Sequence, residues 1–388
     1  MTSPLYGIRV IDFGSMVAGP YCGRMLADLG AEVIKLEGLE GDFMRSRPPM
    51  KGGQSLYFGS LNCGKESIAI DLKHPRSVAL VKDLVARSDV LLENFRPGVM
   101  ARLGFDYAAM QAVNPKLVYC SISGFGQSGA DQERPAFAPI VQATSGYELA
   151  NLGYQPGLER PLNAGIMVTD YLAGVHAFGA ICAALVKRAR TGEGSRIDCA
   201  LTDSIVGLLG YEVAAMQGPI GAPRPLYQAT KAHDGFFIVA PVTQANFEAL
   251  VKATGQAQWL TDPRFGPSAT RALKPNWDAL LQELDQWAAD KSLDECESRM
   301  SACGVPFGRY QTVAELMASP YAAERELFAT VKTGTAEFQT PKPPYKMEGI
   351  AVGESVPALG EHSAAVLARL LGYTPAEIEQ LVAERVVA

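Results

Sequence analysis

Along the first 125 residues, short runs of β-branched and apolar residues alternate with stretches of helical periodicity. IRVIDF, AEVIKLE, SIAIDL, DVLLENF and KLVYCSISGF read as strands, and the segments from Gly19 to Leu29 and from Pro75 to Arg87 read as helices. Runs such as VLLENF are apolar without a break, as in strands covered on both faces, so the succession predicts parallel strands with crossover helices. The fold class expected is α/β, with a large Rossmann-like domain.

Residues 126–165 are rich in Gly, Pro, Gln and Asn and read as long loops with one short helix from Ile140 to Glu148. Loops of that length inside a domain usually carry function. A strong helix then opens at Asp170 and runs to Arg190, where Thr191-Gly192-Glu193-Gly194 supplies a stop. SRIDCAL follows as a strand and DSIVGLLGYEVAAM as a helix. GPIGAPRP reads as a linker. Beyond it, DGFFIVAPV, NFEALVKATG, PNWDALLQELDQWAAD and SLDECESRMSACG have the pattern of a separate, smaller α+β unit. The organisation expected is 1–218 for the large domain, 219–332 for the small one, and 333–388 for a helical tail that returns to the large domain. No internal repeat interrupts this.

Composition narrows the class. With 48% hydrophobic and 20% charged residues the chain packs as a globular protein, and a net charge of −6 argues against general affinity for nucleic acid or anionic membrane. The seven cysteines are scattered, with no spacing that suits a metal, so a reduced, cytoplasmic, metal-free protein is expected. MTSPLYGIRVIDF lacks the form of a signal peptide, and no unbroken apolar run of about 20 residues suggests a bilayer span.

Three features invite chemistry. GFGQSG (Gly124, Gly126 and Gly129) matches G-x-G-x-x-G after a predicted strand, yet ADQERPAF follows it without helical periodicity. A dinucleotide fingerprint must open a helix, so a flexible loop beside a pocket is the better reading. His176 is six residues from Asp170 on one predicted helix and faces another way, since a turn takes 3.6 residues; a packed core histidine is expected. Asp170 itself suits a helix N-cap, and there the macrodipole favours its ionised form, which nucleophilic attack on an acyl carbonyl also requires. Asn94-Phe95-Arg96-Pro97-Gly98 follows a strand end, where open α/β sheets bind ligands, and sets a ring beside guanidinium groups suited to phosphates and an adenine.

Together, GIRVIDFGSMVAGPYCGRMLADLGAEVIKLE, GDFMRSRPP, LNCGKESIAIDLKHP, DVLLENFRPGVMARLGFDY, NPKLVYCSISGFGQSG, the Asp170 helix with LAGVHAFGAICAALVKRARTGEGSRIDCAL, then DPRF, GVPFG and LGEH resemble the class III CoA-transferases, such as the formyl-CoA and carnitine CoA-transferases. The match spans nearly the whole chain, in order. The resemblance implies an interlocked homodimer, ring through ring, and makes Asp170 the nucleophile. Its carboxylate, with an unperturbed pKa of about 4, would attack an acyl-CoA thioester without a general base and pass through an aspartyl anhydride and an aspartyl-CoA thioester. Coenzyme A is then a substrate, with no permanently bound cofactor and no metal. The partners implied are an acyl-CoA donor and a small carboxylic acid acceptor, dicarboxylic acids being admitted by Arg45, Arg47 and Arg134.

For CoA, the family pattern carries to Leu72 and Lys73 near the adenine, to Asn94, Phe95, Val99 and Arg102 along the nucleotide, and to Arg134. Amides of the Gly124–Gly129 loop and of the helix start near Asp170 are the candidate oxyanion donors. Members working on formate and oxalate carry Gln where Val17 stands, Arg where Gly38 stands and a glycine run in place of GPIGAPRPLYQ, which weakens that assignment. A 2-methylacyl-CoA racemase, the alternative within the superfamily, needs a histidine where this chain reads FAPIVQATSG. A CoA-binding subunit without turnover is the other alternative, and the intact Asp170 speaks against it.

Overall fold

The structure is a computed structural model that describes residues 2–155, 157–163, 165–218 and 226–388. Strands β1 (Arg9–Asp12), β2 (Glu32–Glu37), β3 (Glu66–Ala69), β4 (Val90–Glu93), β5 (Val118–Ser123) and β6 (Ser195–Ala200) form one sheet in the order β3-β2-β1-β4-β5-β6. Every pairing in it is parallel. The unbroken apolar runs explain this, because β4 and β5 are buried at every position and need cover on both faces. On one face, α1 (Ala18–Asp28) and the long α6 (Val168–Thr191) enclose Val10, Leu92, Cys120 and Ile122. On the other, α2 (Pro75–Ala86) encloses Ile11, Ile34, Ile68 and Leu91. The strand order reverses between β1 and β4: from β1 the chain moves outward to β2 and β3, then crosses back to β4. Such a reversal leaves a crevice beyond the carboxyl ends of the two strands.

The chain divides into two units, Met1–Gly210 with Glu326–Ala388, and Tyr211–Arg325. In the first, the tail adds Val366, Leu367, Leu381, Val386 and Val387 to the core around Ile68 and Ile70, and Val387 bridges Ile70. An antiparallel hairpin, Phe328–Thr333 with Ala336–Pro341, also belongs to it. The second unit has a three-stranded antiparallel sheet and helices Gln244–Thr254, Lys274–Ala288 and Leu293–Ala302 around Phe237, Phe247, Trp259 and Phe265. Of the GPIGAPRP linker, residues 219–225 lie outside the described residues.

Local expectations fail where glycine intervenes. The helix expected over Ile140–Glu148 is two helices, α4 (Ala138–Thr144) and α5 (Tyr147–Gly153), parted where Gly146 takes φ +87°. DSIVGLLGYEVAAM is likewise broken, into Leu201–Val206, a tighter turn at Gly207–Leu209, and Gly210–Ala215. His176 is exposed instead of packed, because the buried side of α6 is carried by Ala173, Gly174, Ala177, Ile181, Ala184 and Leu185. By length and composition α6 alone among the described helices would suit a bilayer, but this buried side packs on the sheet.

Candidate active site

The crevice between β1 and β4 is built from short-range chemistry. After β1 the chain turns sharply: the Gly14 N–H donates to Asp12 Oδ1 at 2.7 Å, and a Cβ at Gly14 would stand 2.6 Å from that oxygen and 2.8 Å from the Gly19 backbone. Met16 then takes φ +63°, a left-handed conformation that side chains rarely adopt and that surrounding structure must enforce. Asn94 helps enforce it from across the crevice. Its Oδ1 accepts from the Ser15 N–H at 2.8 Å and its Nδ2 donates to the Ser15 carbonyl at 2.8 Å. Below, the Lys65 ammonium donates to Asp12 Oδ2 at 2.8 Å, to the Pro20 carbonyl and to Asn62, while Lys35 donates to Asp42 and to the Gly14 carbonyl.

The α6 helix approaches from the β5 side. Gly174 makes this possible, since a Cβ there would lie 3.0 Å from the Ala18 carbonyl oxygen and 3.1 Å from the Tyr21 ring. Helical geometry begins at Val168 with Met167 flanking it, so Asp170 is the third residue of the helix and not its cap; its side chain bonds no amide of the first turn. Among the described residues nothing donates to the Asp170 carboxyl and no cation pairs with it. Burial therefore acts alone and pushes its pKa up to about 6, which corrects the unperturbed value expected from sequence. At neutral pH it is still roughly nine-tenths ionised.

A cavity of about 520 Å³ brings together Asp170, Asn94, Phe95, Gly124 and Arg134, with Val17, Arg96, Phe137 and Met167 also lining it. Arg134 stands 4.9 Å over the Phe125 ring and 3.5 Å from Asp131. The other residues expected at the site lie elsewhere. Gly126 and Gly129 sit further along the loop, where the Gln127 N–H donates to Asp198 at 2.9 Å, so of the three glycines Gly124 faces the cavity. Leu72 packs on the core and Lys73 is exposed, both just after β3. Val99 and Arg102 belong to α3 (Val99–Leu103), and Arg102 lines a second cavity of about 330 Å³. Arg45 is held by both oxygens of Glu37, at 2.6 and 2.7 Å, and Arg47 stacks 3.7 Å over Phe43. Neither lines the Asp170 cavity.

Sequence reasoning missed Met44, Tyr57 and Ser123, which also line it. Tyr57 meets the Tyr171 hydroxyl at 3.4 Å, and the Ser123 Oγ is buried with no hydrogen-bond partner. Met44 and Ser123 lie inside stretches that carry the family resemblance and Tyr57 in a short element outside them, but their residue types alone do not single them out for a site. Among the described residues no group of three or more His, Cys, Asp or Glu side chains is arranged to hold a metal.

Comparison with known proteins adds the family. The model of CoA-transferase family III matches residues 5–363. The chain is 36% identical over 397 residues to the succinate–glutarate CoA-transferase of Agrobacterium fabrum, covering 95% of this chain and 96% of that protein. It is 33% identical over 403 residues to the succinyl-CoA–D-citramalate CoA-transferase of Chloroflexus aurantiacus, covering 99% and 98%. The crystal structure of a CAIB/BAIF family protein from Brucella suis matches with TM-score 0.83 at 32% identity, over 95% of this chain and 100% of that one.

Proposed function

The chain belongs to CoA-transferase family III, and from that premise we propose that it moves CoA from an acyl-CoA thioester to a small carboxylic acid through covalent intermediates on Asp170. What carries the proposal is one observation: a half-buried carboxyl with no partner among the described residues, on a cavity at the strand-order reversal of the sheet. Paired carboxylates are held in place; an unpaired one is available as a nucleophile.

In this reading an Asp170 oxygen attacks the thioester carbonyl, the carbon–sulfur bond breaks, and the electron pair leaves with the CoA thiolate. The thiolate then attacks the Asp170 carbonyl carbon of the mixed anhydride and expels the donor acid as its carboxylate, leaving aspartyl-CoA. An acceptor carboxylate repeats the steps in reverse order and restores Asp170. Each tetrahedral oxyanion needs donors; Gly124, Met167 and Asp170 line the cavity, and the Gly124 amide and an amide at the start of α6 are the candidates for that role.

CoA would lie across the strand ends, its adenine by Leu72 and Lys73, its nucleotide along Asn94, Phe95, Val99 and Arg102, and its thiol toward Asp170, with Arg134 beside it. The names of the two relatives pair dicarboxylic acids, and Arg96 and Arg134 bring cations to the cavity that suit a second carboxylate. A second copy of the chain would cover the outer side of α6, where Val175 and Val186 are 44% and 52% exposed, as in an interlocked homodimer.

Trapping tests the proposal. Enzyme quenched with hydroxylamine or borohydride during turnover should carry its label at position 170 by peptide mass spectrometry; product accumulating with residue 170 unlabelled would overturn it.

A further inference from the structure

Glu93 closes β4, whose outgoing loop forms one wall of the Asp170 cavity, and the transfer chemistry above does not use it. It is 3% exposed. Its Oε2 accepts from the Phe95 N–H at 2.9 Å, and Ser121 is its register partner on β5. The next residue is Asn94, which grips Ser15 through two hydrogen bonds. Residues 93 and 94 thus tie the segments leaving β1 and β4 to each other and to β5. Arg96 and Pro97 separate the Asp170 cavity from the second one, which Glu93 itself lines.

We propose that Glu93 is a positioning residue for CoA transfer, its carboxylate holding the Phe95–Pro97 wall in place for acyl-CoA through the Phe95 amide. This rests on the reading of the Asp170 cavity as the acyl-CoA site. The partner is a donor, so the charged carboxylate holds it more strongly than the neutral acid does. Among the described residues no cation pairs with Glu93. Burial raises its pKa to about 7, opposed by neighbouring Ser121 and the Phe95 N–H and assisted by Asp198. Tyr119 on β5 faces it as well, and the second cavity adds Arg96, Arg102, Asp106, Tyr107, Glu133 and Arg196. The wall is therefore gripped firmly above neutrality and loosely below it.

The experiment measures the Kd of CoA by calorimetry for Asp170→Asn and for Asp170→Asn with Glu93→Gln, from about pH 5.5 to about pH 8.5, a range that brackets a carboxyl of pKa near 7. The first substitution removes the titration of Asp170, and the ratio of the two Kd values cancels that of the CoA phosphates. The ratio should be close to unity at the acid end, where Glu93 is neutral, and should rise roughly tenfold at the alkaline end, as a charge-assisted bond is replaced by a neutral one. With Asp170 intact, Glu93→Gln should raise KM for acyl-CoA at alkaline pH while leaving kcat nearly unchanged. A pH-independent ratio, or a fall in kcat at constant KM, would overturn the proposal. Should near-UV circular dichroism show Glu93→Gln unfolded, Glu93→Asp replaces it: drawing the charge back from Phe95 should raise KM, and an unchanged KM rejects the idea. Retained exchange by Asp170→Asn would instead reject the nucleophile and leave the binding comparison readable.

Discussion

Two sets of buried charges lie close together in the first unit and are treated in opposite ways. Under the β1 turn every charge is matched: Lys65 with Asp12 at 2.8 Å, Lys35 with Asp42 at 3.0 Å, and Arg45 with Glu37 at 2.6 Å. Across the crevice, Asp170 is matched by no partner among the described residues. The matched charges hold carbonyls and amides of the turn, so they give that turn its shape. Burial raises the pKa of Asp170 and lowers that of Lys65, yet Lys65 has Asp12 to oppose the shift. The contrast teaches that an enclosed charge acts as structure when its neighbours satisfy it and as chemistry when they do not.

Breaking the unmatched side should have the largest effect on turnover and none of the usual cost to the fold. Asp170→Asn should reduce CoA exchange on the order of a thousandfold or more. The same change should raise Tm at pH 8. A carboxyl whose pKa rises from 3.8 to about 6 on folding stabilises the fold fully below the lower value, and that contribution is lost as pH climbs through the upper one. Wild-type kcat/KM should accordingly fall as pH drops through about 6, where the proposed nucleophile, Asp170, becomes neutral. An acid limb that survives in a variant with activity but no residue-170 carboxyl would assign it elsewhere.

Breaking the matched side should do the reverse. Lys65→Met leaves Asp12 enclosed without its cation and should cost roughly 3–5 kcal/mol of stability in urea titrations. The double variant Lys65→Met with Asp12→Leu should recover part of that loss, whereas a single loss below about 1 kcal/mol would place the pair among surface bridges. The smallest effect belongs to the cavity rim. Arg134, 43% exposed at its side chain, should contribute about tenfold or less to KM for acyl-CoA when changed to Ala, with kcat and Tm nearly unchanged.

Much of this could be read from the residues in order. The unbroken apolar runs of β4 and β5 announced a sheet covered on both faces, and ENFRPG after a strand end marked one wall of the crevice. Asp170 stood out by its setting at the head of a small-residue helix. What could not be read was long-range. Nothing in VIDF reports that Asp12 will meet Lys65, 53 residues away, or that Asn94 will hold Ser15. Arg45 reads in sequence as a free cation that would admit a dicarboxylic acid, because its partner, Glu37, ends a strand and carries no mark of the pairing. The pKa of Asp170 was misjudged for the same reason: helix position favours the charged form and is local, while loss of water depends on walls assembled from distant loops.

The seating of Val386 and Val387 beside Ile70 bears on how the polypeptide is made. The first unit is discontinuous, whereas Tyr211–Arg325 is one uninterrupted stretch. During synthesis the inserted unit is complete while one side of the parallel sheet still waits for its last hydrophobic plugs. The cover that Val366, Leu367, Leu381, Val386 and Val387 give to Ile68 and Ile70 therefore arrives only once residues beyond the inserted unit have been made, so that side of the sheet is the last to be finished.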